Sequence, residues 1–156
     1  SRPSRLTSST RFGRRRRARD ELMELADKVR AAKHIFIIGN GGSYANAMHI
    51  CNDLLACGIP TFTLDPATMA ASANDYGWET VFSRWLAIVG EKGDLLIALS
   101  GSGKSPNILQ AVKCAEGIGM TVHCIFGSER GENMQQAEEA QIHLGHDLMR
   151  ALRDRR

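Results

Sequence analysis

Apolar positions along this chain recur with two periods, and the periods alternate. Leu22, Leu25, Ala26, Val29 and Ala32 fall at helical spacing and predict a helix from about Asp20 to Ala32. The run His34-Ile35-Phe36-Ile37-Ile38 that follows is short, β-rich and apolar on both faces. Strands of that kind belong to parallel sheets covered by helices. A glycine turn ends the run, and a helix is predicted from about Ser43 to Cys57. The alternation continues with a strand at Thr61–Leu64, a helix at Trp78–Val89 and a strand at Asp94–Leu99. Pro106 suits the first turn of a helix that runs to about Ile118, and a fourth strand follows at Thr121–Phe126. A weaker strand is predicted at Ala140–Leu144 and a last helix from about His146 to Arg155. Strands alternating with helices imply right-handed crossovers. The predicted fold class is α/β, an open doubly wound parallel sheet of about five strands with helices on both faces.

Charge changes this picture at one end only. The formal net charge of +3 conceals eight arginines and no acid in residues 1–19. The remaining 12 Lys+Arg and 17 Asp+Glu leave residues 20–156 at −5. Residues 1–19 therefore read as a basic, disordered arm and residues 20–156 as a single domain. Arg14–Arg17 lack the aromatic interleaving or reading module of a nucleic-acid binder, so no nucleic-acid partner is expected. No apolar run reaches the roughly 18 residues of a membrane span, and no secretory leader is visible. Cys51, Cys57, Cys114 and Cys124 are scattered without C-x-x-C spacing, which suits small buried thiols in a reducing, cytoplasmic setting.

Two turns at predicted strand ends carry the chemistry. In open parallel sheets, ligands bind beyond the carboxyl ends of the strands. In Gly39-Asn40-Gly41-Gly42-Ser43 the glycines let backbone N–H groups approach an anion, and the following helix offers its positive end. Ser100-Gly101-Ser102-Gly103-Lys104-Ser105 brings three hydroxyls and two glycines to the same place before another helix. The stretch Ala98–Ser105 also comes within one residue of the P-loop pattern, with Ala98 where the first glycine belongs. No later strand ends in an Asp suited to hold magnesium, and only about 50 residues follow Lys104. No nucleotide is expected.

Four blocks resemble the sugar isomerase (SIS) domain family, and within it the phosphoheptose isomerase group. They are Ile38–Ser43 followed by Asn46-Ala47-Met48-His49; Ala73-Asn74-Asp75-Tyr76-Gly77; Phe82-Ser83-Arg84; and Gly93-Asp94 through Ser100 to Asn107. The resemblance covers about residues 20–130. It implies a flavodoxin-like sandwich, a phosphorylated sugar as partner, and a homotetramer with active sites at subunit interfaces. It implies that Asn40, Gly41, Gly42 and Ser43 contact substrate, that Asn74 and Asp75 line the sugar site, and that Ser100, Gly101, Ser102 and Ser105 hold the phosphate. The serine cup then becomes the principal phosphate holder, with residues 40–43 placing the sugar beside Asp53.

Aldose–ketose isomerisation moves a proton between adjacent carbons through an enediol, which requires a base and an acid–base group for the oxygens. His49 and Asp53 lie four apart on one face of the helix after the first turn. Their spacing suits catalysis or a zinc ion, with an ordinary surface pair as the alternative. The resemblance implies a metal ligand at His49 and a catalytic, metal-binding carboxylate at Asp53, where the family has glutamate. It implies an acid–base histidine and metal ligand at His146, opening the stretch His146-Asp-Leu-Met-Arg-Ala-Leu. The family also has a substrate- and metal-binding glutamine upstream. Here the nearest glutamine, Gln141, is expected inside the weak strand, as is His143; His143 and His123 are read as structural. The resulting expectation is a sedoheptulose 7-phosphate isomerase. The alternative is a non-catalytic SIS module that binds a sugar phosphate for regulation or scaffolds a protein.

Overall fold

A computed structural model describes residues 8–154. Among them the order of elements is α1 (Ser8–Ala31), β1 (Ile35–Ile38), α2 (Gly42–Ala56), β2 (Thr61–Phe62), α3 (Pro66–Tyr76), a 3-10 turn at Trp78–Thr80, α4 (Val81–Val89), β3 (Leu95–Ser100), α5 (Pro106–Ile118), β4 (Thr121–Phe126), a 3-10 turn at Gly127–Arg130 and α6 (Met134–Arg153).

The sheet is parallel with strand order β2-β1-β3-β4. β1 and β3 are buried at every position, which explains their unbroken apolar runs. One core lies between the sheet and α1, α2 and α6, built on Leu25, Val29, Ile50, Leu54, Leu144 and Leu148. The other lies under α4 and α5, built on Phe82, Leu86, Ile108, Ala111 and Ala115. The chain leaves β1 toward β2 and leaves β3 toward β4, in opposite directions. The crevice between β1 and β3 is thus a topological switch point, where open α/β sheets bind ligands.

Four expectations are corrected. The sheet has four strands among the described residues, not about five. The weak strand at Ala140–Leu144 is absent, because α6 runs unbroken from Met134. Its buried positions Ala137, Gln141, Leu144, Gly145, Leu148 and Leu152 keep helical spacing, and Asn133 with Gln136 closes a capping box at its start. Gln141 and His143 are consequently helical. α3 is a helix the apolar pattern did not predict, since it buries no residue and starts on an Asp65 cap that accepts from the Thr68 N–H. Lastly, α1 reaches back to Ser8, so residues 8–19 continue the helix expected from Asp20. Residues 1–7 of the arm lie outside the described residues.

Candidate active site

The first turn follows β1 directly. Gly41 has φ of 55°, a conformation that favours glycine. Gly39 packs so tightly that a Cβ there would lie 2.6 Å from the carbonyl carbon of Ser43. The chain can therefore fold back into α2, where the Ser43 and Tyr44 N–H groups close on the Asn40 carbonyl. Ser43 is buried, and its Oγ accepts a hydrogen bond from Gln141 Nε2 at 3.1 Å. Its own hydroxyl proton stays available to a ligand.

The second turn follows β3, the strand beside β1. Ser100 Oγ accepts from the Gly103 N–H at 2.9 Å, and Ser102 Oγ accepts from the Lys104 N–H at 3.1 Å. Both hydroxyls can still donate outward. Ser105 occupies the N-cap of α5 but makes no side-chain capping bond, which leaves its oxygen unspent. Asn40, Ser43, Ser100, Gly101, Ser102 and Ser105 all line one cavity of about 50 Å³, closed on one side by Met134. That volume suits one small anion rather than a whole sugar. The N-termini of α2 and α5 both open near it, and the positive ends of their dipoles favour negative charge.

The helices α2 and α6 run side by side in the same direction. Gly42 meets the Glu138 carboxylate and Gly145 meets Ile50. Asn46 Nδ2 donates to Gln141 Oε1 and to the Glu138 carbonyl, each at 2.9 Å. Further along, His49 Nε2 lies 3.1 Å from His146 Nε2 and 3.3 Å from Asp53 Oδ2. The imidazoles meet edge to face. Asp53 is 8% exposed, and its Oδ2 has no hydrogen-bond partner among the described residues. Two imidazole nitrogens facing each other beside a buried carboxylate oxygen form an acceptor-rich pocket suited to a cation. The three donor atoms lie within 4.8 Å of one another. The nitrogen separation is close to the roughly 3.3 Å expected of two imidazoles on one tetrahedral zinc with bonds of about 2.0–2.1 Å. The donor types and spacing of these three residues fit a zinc ion, which they would hold.

The structure thus brings together two groups expected from the sequence: Asn40, Ser43, Ser100, Gly101, Ser102 and Ser105 in the cup, and His49, Asp53 and His146 in the cluster. It does not join them in one chain. Asp53 lies eleven residues along α2 from Gly42, about 16 Å at 1.5 Å per residue, so residues 40–43 do not adjoin its carboxylate. Gly41 and Gly42 are exposed at the rim. Asn74 and Asp75 are exposed on α3 and hydrogen-bonded to each other. Asp75 lines a separate groove with Tyr76, Arg84 and Trp85, where the Arg84 guanidinium stacks on Tyr76. Sequence reasoning missed Asn107 and the role of Gln141. Gln141 is fully buried, its amide nitrogen donating to Ser43 and its amide oxygen accepting from Asn46. Its place on the apolar stripe of α6 was the available signal.

An open parallel α/β sheet with two serine- and glycine-rich helix starts at its switch point is an arrangement suited to an anionic ligand. The chain belongs to the SIS domain family, whose model matches residues 20–127. It is 36% identical over 129 residues to a phosphoheptose isomerase of Sodalis glossinidius, covering 78% of this chain and 66% of that one. It is 39% identical over 121 residues to that of Cytophaga hutchinsonii, covering 73% and 63%. The chain thus spans slightly less than two thirds of the length of these curated relatives. A solved phosphoheptose isomerase from Francisella tularensis superposes with a TM-score of 0.78 at 23% identity, over 96% of this chain and all of the other, which shows the shared fold.

Proposed function

We propose that this chain is an aldose–ketose isomerase of a phosphorylated sugar, with sedoheptulose 7-phosphate as substrate and a heptose 7-phosphate as product. The observation that carries the reading is the His49–Asp53–His146 cluster, in which a buried carboxylate oxygen without a hydrogen-bond partner faces two imidazoles. The names of the relatives supply the substrate class.

In this reading Ser100, Gly101, Ser102 and Ser105 hold the phosphate, and Asn40 to Ser43 hold its edge and the sugar. Asn74 and Asp75 serve the sugar hydroxyls. Asp53 takes the proton from carbon to form the enediol, and His146 moves protons at the oxygens. His49, Asp53 and His146 would hold zinc, which when bound polarises the carbonyl. The separation of cup and cluster along α2 supports a homo-oligomer, a tetramer by resemblance, in which a neighbouring copy completes each site. Exposed Phe62, Trp78, Ile88 and Val89 supply apolar surface for such contacts. No helix among the described residues is long and apolar enough to cross a membrane. We take residues 20–156 as the SIS unit and the cytoplasm as its location.

The test is isomerisation of sedoheptulose 7-phosphate with and without zinc. Turnover that Asp53→Asn abolishes, with ligand affinity retained, supports the reading. Binding without turnover favours the second reading, a non-catalytic phosphosugar module. The shorter reach of Asp53 than of the family's glutamate is what favours that alternative.

A further inference from the structure

The two halves of the phosphate cup are joined by one pair of amides. Asn40 Nδ2 donates to Asn107 Oδ1 at 2.8 Å, and Asn107 Nδ2 donates back to Asn40 Oδ1 at 2.9 Å. Asn107 is the second residue of α5 and is 1% exposed; Asn40 is half-buried and lines the cavity. Each amide spends one N–H and one oxygen lone pair on the other. Asn40 keeps a second N–H and a second lone pair, which Asn107 does not need. The reciprocal pair removes the freedom of the Asn40 amide to flip, because either flip would set N–H against N–H and oxygen against oxygen. It also bridges turns 67 positions apart in sequence, each at the N-terminus of its own helix.

We propose that Asn107 is a positioning residue for the phosphosugar. It acts through Asn40, fixing which face of that amide meets the ligand and how far apart the two turns stand. The assignment rests on the sugar-phosphate reading of the cup. A merely structural role makes a different forecast. Asn40 is half-exposed, so water can replace a lost partner at modest cost to the fold, whereas its orientation toward a ligand would be lost.

The experiment is a double-mutant cycle in the full chain with Asn40→Ala, Asn107→Ala and both. Calorimetric affinity for sedoheptulose 7-phosphate and thermal midpoints are measured for all four proteins, together with KM and kcat where turnover occurs. Asn107→Ala is expected to weaken binding about tenfold, which is about 1.4 kcal/mol. That loss should fall in KM rather than in kcat. In the Asn40→Ala background the same change should cost less than about twofold, because its only route to the ligand is gone. Asn107→Asp, equal in size and able to keep one of the two bonds, serves if the alanine variant does not fold; it should weaken binding at least as much, having lost a donor and gained a negative charge behind the phosphate. Additive losses in the cycle, or unchanged affinity in any folded Asn107 variant, would overturn the assignment. A wild-type protein that binds but does not turn over removes the isomerase reading alone and leaves the cycle readable by calorimetry. A wild-type protein that binds neither sedoheptulose 7-phosphate nor inorganic phosphate overturns both.

Discussion

Replacing Gly145 by alanine should lower stability, although alanine is the better helix former. Gly145 is buried in the middle of α6, and an added Cβ would sit 2.6 Å from Ile50 Cγ1 and 3.1 Å from Cδ1. Carbon atoms in ordinary contact stand about 3.5–4.0 Å apart, so the deficit is about 1 Å. Ile50 cannot readily yield, since a β-branched side chain in a helix has one strongly preferred χ1 rotamer. The helix preference of alanine over glycine contributes about 1 kcal/mol in its favour. Overpacking a filled core costs about 1–3 kcal/mol. The net change is a loss of about 0–2 kcal/mol, or up to about 8 °C in thermal midpoint for a chain of this size. Ile50→Ala removes both touching atoms and by itself costs about 2–5 kcal/mol. In that background the clash is gone, and Gly145→Ala should stabilise by about 1 kcal/mol. The assay is thermal unfolding followed by circular dichroism across the four proteins of the cycle. The expected signature is a change of sign for one substitution between two backgrounds. A higher midpoint for Gly145→Ala in the wild-type background, or an equal drop in both, would refute the packing argument. Gly145 adjoins His146, and Ile50 adjoins His49, so the same variant should also weaken binding of cobalt or zinc by spreading the imidazoles.

Other outcomes follow from the cup, the sheet edge and the thiols. Ser102→Ala with Ser105→Ala should weaken phosphosugar binding about tenfold or more by removing two hydroxyl donors, measured by calorimetry; normal affinity would move the phosphate elsewhere. Burial raises the Glu21 carboxyl, but the His123 ring 3.6 Å away and the charge of Arg130 outweigh it, and its pKa is lowered. A carboxylate with a lowered folded pKa contributes stability that is present above its unfolded pKa and lost as pH falls through the folded value. The urea midpoints of the wild type and Glu21→Gln should therefore differ at pH 6 and converge toward pH 3; a constant gap would remove that linkage. Burial pushes the thiols of Cys51, Cys114 and Cys124 up, with Glu129 and Glu116 adding to the effect at Cys124. These thiols should react slowly with disulfide reagents at pH 7 in the native protein and quickly in urea, as read by absorbance.

What the amino-acid order determines by itself is local. The apolar runs of β1, β3 and β4 and the proline start of α5 specify their elements without help, because each carries its own burial pattern or backbone restriction. The glycine and serine turns mark a candidate anion site for the same reason: an approach open only to glycine and a hydroxyl placed beside it are written residue by residue. Residues 140–144 show the limit. A five-residue window cannot distinguish a strand from one face of a helix, and only the full stripe from Ala137 to Leu152 settles the period. Tertiary structure alone decided the rest. Asn40 meets Asn107, Ser43 meets Gln141, and His49 meets His146 across sequence separations of 67, 98 and 97 positions. No local pattern encodes these pairs, because they depend on which strands adjoin and on α2 and α6 lying side by side. His49 and Asp53 alone are an ordinary pair on one helix face. They become a candidate cation site only when α6 delivers His146 beside them and burial leaves Asp53 Oδ2 without a hydrogen bond among the described residues.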